Sequence, residues 1–262
     1  MRFADVGGAR LEYEWIRTGA ARRPAIVLLH EGLGSISMWR DFPRRLAETT
    51  HREVLVYSRQ GFGRSSPLVG SRAASYMHHE ALTVLPQLLD QLQVAKPILL
   101  GHSDGASIAL IHAGGSGRPV AGLILLAPHV FVEDVSVRSI ATAKVAYETG
   151  DLRARLARHH DDVDGVFRGW NDIWLNPEFG DWNIEEFLPH ITCPLLAVQG
   201  ENDEYGTMEQ IERIARAVPQ ANALKLPDCR HSPHRDRAEA VLKAVADFLR
   251  AAGGAATWRP ES

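Results

Sequence analysis

The sequence predicts an α/β protein: a mostly parallel sheet flanked on both faces by helices and interrupted by a helical insertion. Three observations predict it. Short apolar runs recur with no polar interruption, as strands buried on both faces require. Segments with apolar residues spaced three and four apart fill the gaps between those runs. The regular alternation of the two calls for crossover connections, and so for parallel strands.

Taken in order, residues 11–17 alternate in polarity, which marks an early antiparallel strand. Residues 25–30, 53–58, 97–100, 121–126 and 194–199 are the apolar runs, and 221–226 is a weaker final strand. Helical spacing covers 38–48, 76–93, 103–113, 208–218 and 237–251. Between 130 and 190 no strand is evident; that stretch holds helical segments at 139–148, 152–160 and 163–174 and the tryptophans Trp170, Trp174 and Trp182. A helical insertion after a strand reads as a lid over the carboxyl edge of the sheet, where clefts form in open α/β sheets. An extra helical layer is the plainer alternative. The expected division is a core of 1–129 and 191–252, a cap of 130–190 and a poorly ordered tail of 253–262.

Composition narrows the class. At 262 residues the chain can form one large core, or one core with an insertion. Its net charge of −3 offers no basic excess for nucleic acid or an anionic membrane. The start lacks an apolar core of signal-peptide length, and no apolar run approaches the ~20 residues of a spanning helix. The two cysteines, Cys193 and Cys229, belong to opposite ends of neighbouring parallel strands, too far apart to bridge. A reduced, cytoplasmic protein is expected, with a small-molecule substrate, no nucleic-acid partner and no membrane partner.

Gly101-His102-Ser103-Asp104-Gly105 reads G-x-S-x-G, between the apolar run ending at Leu100 and the small-residue helical run from Ala106. Composition alone supplies such a match in about one comparable chain in ten, so the context decides. Strand, sharp turn and helix is the context of a nucleophile elbow. Glycines on either side let strand and helix approach closely. The serine hydroxyl then stands at a helix N-terminus whose free N–H groups favour negative charge.

Serine needs a base, and the base needs an orienting partner. Asp203 follows the strand at 194–199, with Glu201 and Glu204 as neighbouring rivals. His231 follows the last strand, with His234 as its rival among 12 histidines. His78-His79 and His159-His160 fall on helical segments and read as surface pairs whose rings diverge, which argues against a metal pair. The order Ser103, acid, histidine is one of three known for such triads.

With these residues the chain resembles the α/β-hydrolase family over about 11–251. The resemblance rests on His30-Glu31-Gly32-Leu33-Gly34-Ser35, on Arg59-Gln60-Gly61-Phe62-Gly63-Arg64-Ser65 and on the elbow. It also rests on Gly200-Glu201-Asn202-Asp203 and His231-Ser232-Pro233-His234. It implies a mostly parallel eight-stranded sheet with a helical cap, no metal and no cofactor. It selects Asp203 over its neighbours as the acid and His231 over His234 as the base. Two positions depart from the family pattern: Glu31 stands where glycine is common, and Arg230 where glycine commonly precedes the base.

The expected function is a serine hydrolase acting on a small carboxylic ester, with Ser103, Asp203 and His231 as the triad. The alternatives are a hydrolase of a carbon–carbon bond in a ring-cleavage diketone and a small-molecule receptor with vestigial activity. An aspartate at the elbow would have indicated a dehalogenase or epoxide hydrolase. The oxyanion donors are the amide of Asp104 and, by position, that of Gly32, with Leu33 behind it. Glu31, His129, Trp170 and Trp174 are pocket candidates, His129 being equally readable as a rim residue. The 59–65 stretch reads as a structural loop. Glu31 and Asp104 flank the oxyanion site, which suggests that anionic acyl groups are repelled.

Overall fold

A computed structural model describes residues 1–17, 19 and 23–253; all but the first residue of the expected tail lies outside the described residues. Chain order gives strands β1 (Arg2–Val6), β2 (Ala9–Ile16) and β3 (Ile26–Leu29), helix α1 (Phe42–Thr50), and strand β4 (Val54–Tyr57). Helices α2 (Tyr76–His79) and α3 (Leu85–Gln91) precede β5 (Ile98–His102), α4 (Asp104–Gly115) and β6 (Gly122–Leu126). Then come α5 (Asp134–Thr149), α6 (Leu152–Leu156) and α7 (Val163–Trp174). Strand β7 (Leu195–Gly200), helix α8 (Glu209–Ala217), strand β8 (Ala221–Leu226), α9 (Pro233–Asp236) and α10 (Ala238–Gly253) complete the chain.

The strands form one eight-stranded sheet in the order β1-β2-β4-β3-β5-β6-β7-β8. The β1–β2 and β2–β4 pairings are antiparallel and the rest are parallel. The alternation along each strand explains the unbroken apolar runs. Val27, Leu29, Leu99, Leu123 and Leu125 enter the core on one face, with α4 and α8. Ile26, Leu28, Ile98, Leu100, Ile124 and Leu126 enter the core on the other, beneath α1 and α10. Because side chains point to opposite faces with period two, a strand covered on both sides must be apolar at every position. Helix α4 is mostly apolar for the same reason: every residue from Asp104 to His112 is buried, with Asp104, Ser107 and His112 the polar ones.

Several elements differ from the sequence reading. Strand β1 was not anticipated; Arg2, Phe3 and Asp5 face solvent, so the run carries little apolar signal. The helix expected over 38–48 is a 3-10 turn, Ile36–Trp39, followed by α1. Pro43 stands in the first turn of α1, where its missing N–H costs nothing, but it cannot continue a helix from Met38. The helix expected over 76–93 widens into a π turn at Glu80–Val84. Pro86 follows in the first turn of α3, and a proline there removes the bond to Leu82.

Between β6 and β7 no strand of the sheet occurs among the described residues; α5, α6, α7 and two 3-10 turns fill that stretch. The helical segment expected over 152–160 ends at Leu156. Trp170, Ile173, Trp174, Phe179 and Trp182 belong to the same apolar cluster as Leu29 and Leu99. The insertion therefore packs directly on one face of the core.

His159 and His160 lie beyond the end of α6, and His160 is not a surface residue. It is buried, its Nδ1 accepts the Gly63 N–H at 2.9 Å, and its Nε2 faces the Leu33 carbonyl at 3.0 Å. Burial pushes its imidazole down to about 4. The 59–65 loop is structural: Arg59 is fully buried and its guanidinium donates to the carbonyls of His30 and Glu31. Cys193 and Cys229 are both free thiols. No helix among the described residues is long and apolar enough to cross a membrane.

Candidate active site

The site begins with a strained serine. Ser103 stands between β5 and α4 at φ 52° and ψ −120°, a conformation that a β-carbon resists. Its neighbours enforce it. A Cβ on Gly101 would lie 2.3 Å from the Gly105 carbonyl oxygen, and one on Gly105 would lie 2.1 Å from that of Leu29. Glycine at both positions lets the helix sit against two strands, with Ser103 at the turn between them.

Two loops at the carboxyl ends of β7 and β8 bring Asp203 and His231 to it. The loops are joined to each other: the Glu201 N–H donates to the Leu226 carbonyl, and the Asn202 N–H to that of Cys229, both at 2.9 Å. A Cβ on Gly200 would lie 2.3 Å from the Cys229 oxygen, which explains the glycine that opens the acid loop. Asp203 then faces His231, with Nδ1 2.8 and 2.9 Å from its carboxylate oxygens. His231 Nε2 lies 3.0 Å from Ser103 Oγ. With the Nδ1 proton directed at the carboxylate, Nε2 is free to accept the serine proton.

Asp203 is itself held by hydrogen bonds. Gln199 Nε2 donates to Asp203 Oδ2 at 2.7 Å, and the Tyr205 N–H donates to Oδ1 at 2.8 Å. Burial pushes the Asp203 carboxyl up, but the His231 charge and hydrogen bond and the Tyr205 amide outweigh it and hold the group below its ordinary value. Burial likewise pushes His231 down, but Asp203, Glu31 and Glu204 outweigh it and leave its imidazole raised.

Asp203 and His231 are thus the residues brought to Ser103, while their rivals lie elsewhere. Glu204 accepts the His231 N–H at 3.2 Å. His234 packs between Trp39 and Phe42. Arg230 needs no glycine-like conformation: its N–H donates to Asp236 and its side chain is exposed.

The backbone N–H groups of Gly32 and Asp104 have no hydrogen-bond partner among the described residues. Both residues line a cavity of about 390 Å³ together with Ser103 and His231. Its far wall comes from the insertion, through Ile140, Leu152, Leu156, Trp170 and Trp174. His129 lines this cavity too and is buried, not a rim residue. Burial and the neighbouring His231 push its imidazole down to about 3, so it stays neutral beside the base.

The carboxylates of Glu31 and Asp104 do not act as the sequence suggested. Glu31 pairs with His102 at 2.6 Å and with Arg235 at 3.5 Å. Asp104, 1% exposed, accepts the Tyr76 hydroxyl at 2.6 Å. Its carboxyl is pushed up by burial, against the charges of Arg59 and Arg72. Arg155 and Arg235 also line the cavity. Each of the two carboxylates thus has partners of its own within the fold.

Sequence reasoning missed His102, Gln199 and Arg235, and weighed Glu204 only as a rival acid. His102 occupies a variable place in G-x-S-x-G, and Gln199 closes a strand, so neither carries a pattern. The unusual Glu31 was the one available signal of a partner. Among the described residues no group of three or more His, Cys, Asp or Glu could hold a metal ion.

The comparisons agree with this architecture. The chain is 25% identical over 272 residues to a 2-hydroxy-6-oxononadienedioate/2-hydroxy-6-oxononatrienedioate hydrolase of Pseudomonas putida, covering 92% of this chain and 91% of the relative. It is 28% identical over 251 residues to the serine hydrolase BPHL of Homo sapiens, covering 93% and 84%. The crystal structure of the enol-lactonase from Burkholderia xenovorans LB400 superposes with a TM-score of 0.75 at 24% identity, covering 95% of this chain and all of that one, a likeness of fold. The model of the alpha/beta hydrolase family matches residues 26–244, and the chain belongs to that family.

Proposed function

We propose that this chain is a serine hydrolase that cleaves a small carboxylic ester through an acyl-enzyme. One observation carries the reading: His231 spans Ser103 and Asp203, at 3.0 and 2.8 Å, at a strained strand-to-helix turn. Ser103 Oγ attacks the ester carbonyl while His231 Nε2 takes its proton. The amides of Gly32 and Asp104 receive the negative charge that develops on the carbonyl oxygen, each donor contributing about 3 kcal/mol. His231 then protonates the leaving alcohol. A water, deprotonated by the same nitrogen, releases the acid. Asp203 holds the tautomer and stabilises the imidazolium. No cofactor is required.

Residues 130–190 act in this reading as a helical cap. Trp170 and Trp174 form the roof of the acyl site, and the cavity volume suits a small molecule. A second reading is hydrolysis of a carbon–carbon bond in a ring-cleavage diketone, favoured by the Pseudomonas putida relative, which is named for such a substrate. It uses the same three residues.

A panel of nitrophenyl acetate and butyrate, matched amides and a coloured dienone diketone tests both. The ester reading expects turnover of the short esters that Ser103→Ala abolishes. Faster turnover of the diketone would favour the second reading. Ester turnover surviving in Ser103→Ala would overturn the mechanism.

A further inference from the structure

We infer that Glu31 and His102 form a buried positioning pair that fixes the backbone of His231 and so the approach of its imidazole to Ser103. The inference rests on the triad proposed above and adds to it a second histidine–carboxylate pair, behind the first.

The geometry is specific. His102 is 1% exposed and stands immediately before Ser103 at the end of β5. Its Nδ1 lies 2.6 Å from Glu31 Oε2, and its Nε2 lies 2.7 Å from the backbone carbonyl of His231. Both ring nitrogens of His102 face acceptors, Nδ1 the Glu31 carboxylate and Nε2 the His231 carbonyl. Glu31 occurs where its family commonly has glycine, so its carboxylate is a departure that the pair explains.

His231 needs such a tether. It lies beyond β8 on a loop, where no ladder fixes its peptide groups. Side chains hold both sides of it: Glu204 accepts its N–H at 3.2 Å, and His102 donates to its carbonyl. Because His102 and Ser103 are consecutive, nucleophile and base are referred to the same peptide segment. Charged or titratable groups around the pair include Arg235, 3.5 Å from Glu31 Oε1, Arg59, which donates to the Glu31 carbonyl, and His234 and His231, whose ring centroids lie 4.8 and 5.3 Å from that of His102. The indole of Trp39 closes the remaining side.

The test uses the full chain carrying Glu31→Gln, His102→Gln, and both together. Glu31→Gln keeps volume and an acceptor but removes the charge. His102→Gln keeps a donor near the Nε2 position. In proton NMR without substrate, the wild type should show downfield imidazole resonances from the His231–Asp203 and His102–Glu31 pairs. Each variant should abolish the second and displace or broaden the first. In ester turnover, kcat should fall about tenfold in either single variant with KM changed less than about twofold, as loss of alignment predicts. The double variant should lose no more than the worse single one, since both break one tether.

A His231 resonance and a kcat that stay at the wild-type value, even with a lowered melting temperature, would reduce the pair to a structural role and overturn the inference. Additive losses in kcat would overturn it as well. A wild type with no Ser103-dependent turnover would remove the ester reading instead, and the His231 resonance would still judge the pair.

Discussion

The indole of Trp170 fills the space that a side chain at Gly32 would need: a Cβ at position 32 would fall 2.2 Å from the ring. A helix of the insertion is thereby pressed against the loop that carries the Gly32 amide. Both residues line the cavity, so one contact joins its insertion wall to the loop after β3.

Gly32→Ala should displace either Trp170 or the loop amide, and kcat/KM for a short ester should fall about 10- to 100-fold. Trp170→Ala removes the obstacle. The double variant should therefore lose less than the sum of the two single variants in ΔΔG‡. Wild-type kinetics in Gly32→Ala would contradict the contact.

Asp203→Asn preserves the shape of the acid but not its charge, and kcat should drop by about 10⁴, the cost of losing the correct imidazole tautomer. Stopped-assay kinetics at high enzyme concentration can measure the residue of activity. A loss below about tenfold would point to another acid, with Glu204 the nearest candidate by its contact with the His231 N–H.

The pH profile follows from the raised imidazole of His231. The base must be neutral, and its folded value lies above the ordinary 6.5. The acid limb of kcat/KM should therefore fall away above pH 6.5, activity decreasing as protons are added. Asp203, Glu31 and Glu204 raise that value. Glu204→Gln should shift the limb toward lower pH, and a limb that stays in place would show that Glu204 does not act on the base.

Gly105→Ala tests the elbow as a packing device. The added methyl would meet the Leu29 carbonyl at 2.1 Å, a contact with backbone that no side-chain rotation relieves. Denaturant unfolding should register a loss of about 2–3 kcal/mol. Gly117→Ala should behave differently: a Cβ there meets nothing within 4 Å, and only its φ of 68° opposes the change. Its cost should be about 1 kcal/mol.

The parts of this protein legible in its sequence are those with a local cause. A strand covered on both faces must be apolar throughout, so β3 to β7 were visible as runs. An elbow needs small residues flanking its serine, so Ser103 was visible as a motif. The acid and base were narrowed to a few residues, since each must follow a strand, and the family resemblance selected Asp203 and His231. Strand β1 and the breaks beside Pro43 and Pro86 were harder to see. One faces solvent, and the others are exceptions within helical spacing.

The tertiary structure alone decided what Glu31 and Asp104 do. As sequence, both are acidic residues near Ser103, with charges of the same sign. In the fold, Glu31 is matched by His102 and Arg235. Asp104 lies against Tyr76, near Arg59 and Arg72. These partners come from as far as 204 positions away along the chain. The electrostatic effect of a charge depends on distance and burial, and neither is written in its sequence neighbourhood. The sequence thus determined which groups could perform the chemistry. Only the packing of β3, β5 and the His231 loop against one another decided which charges remain free to act on a substrate.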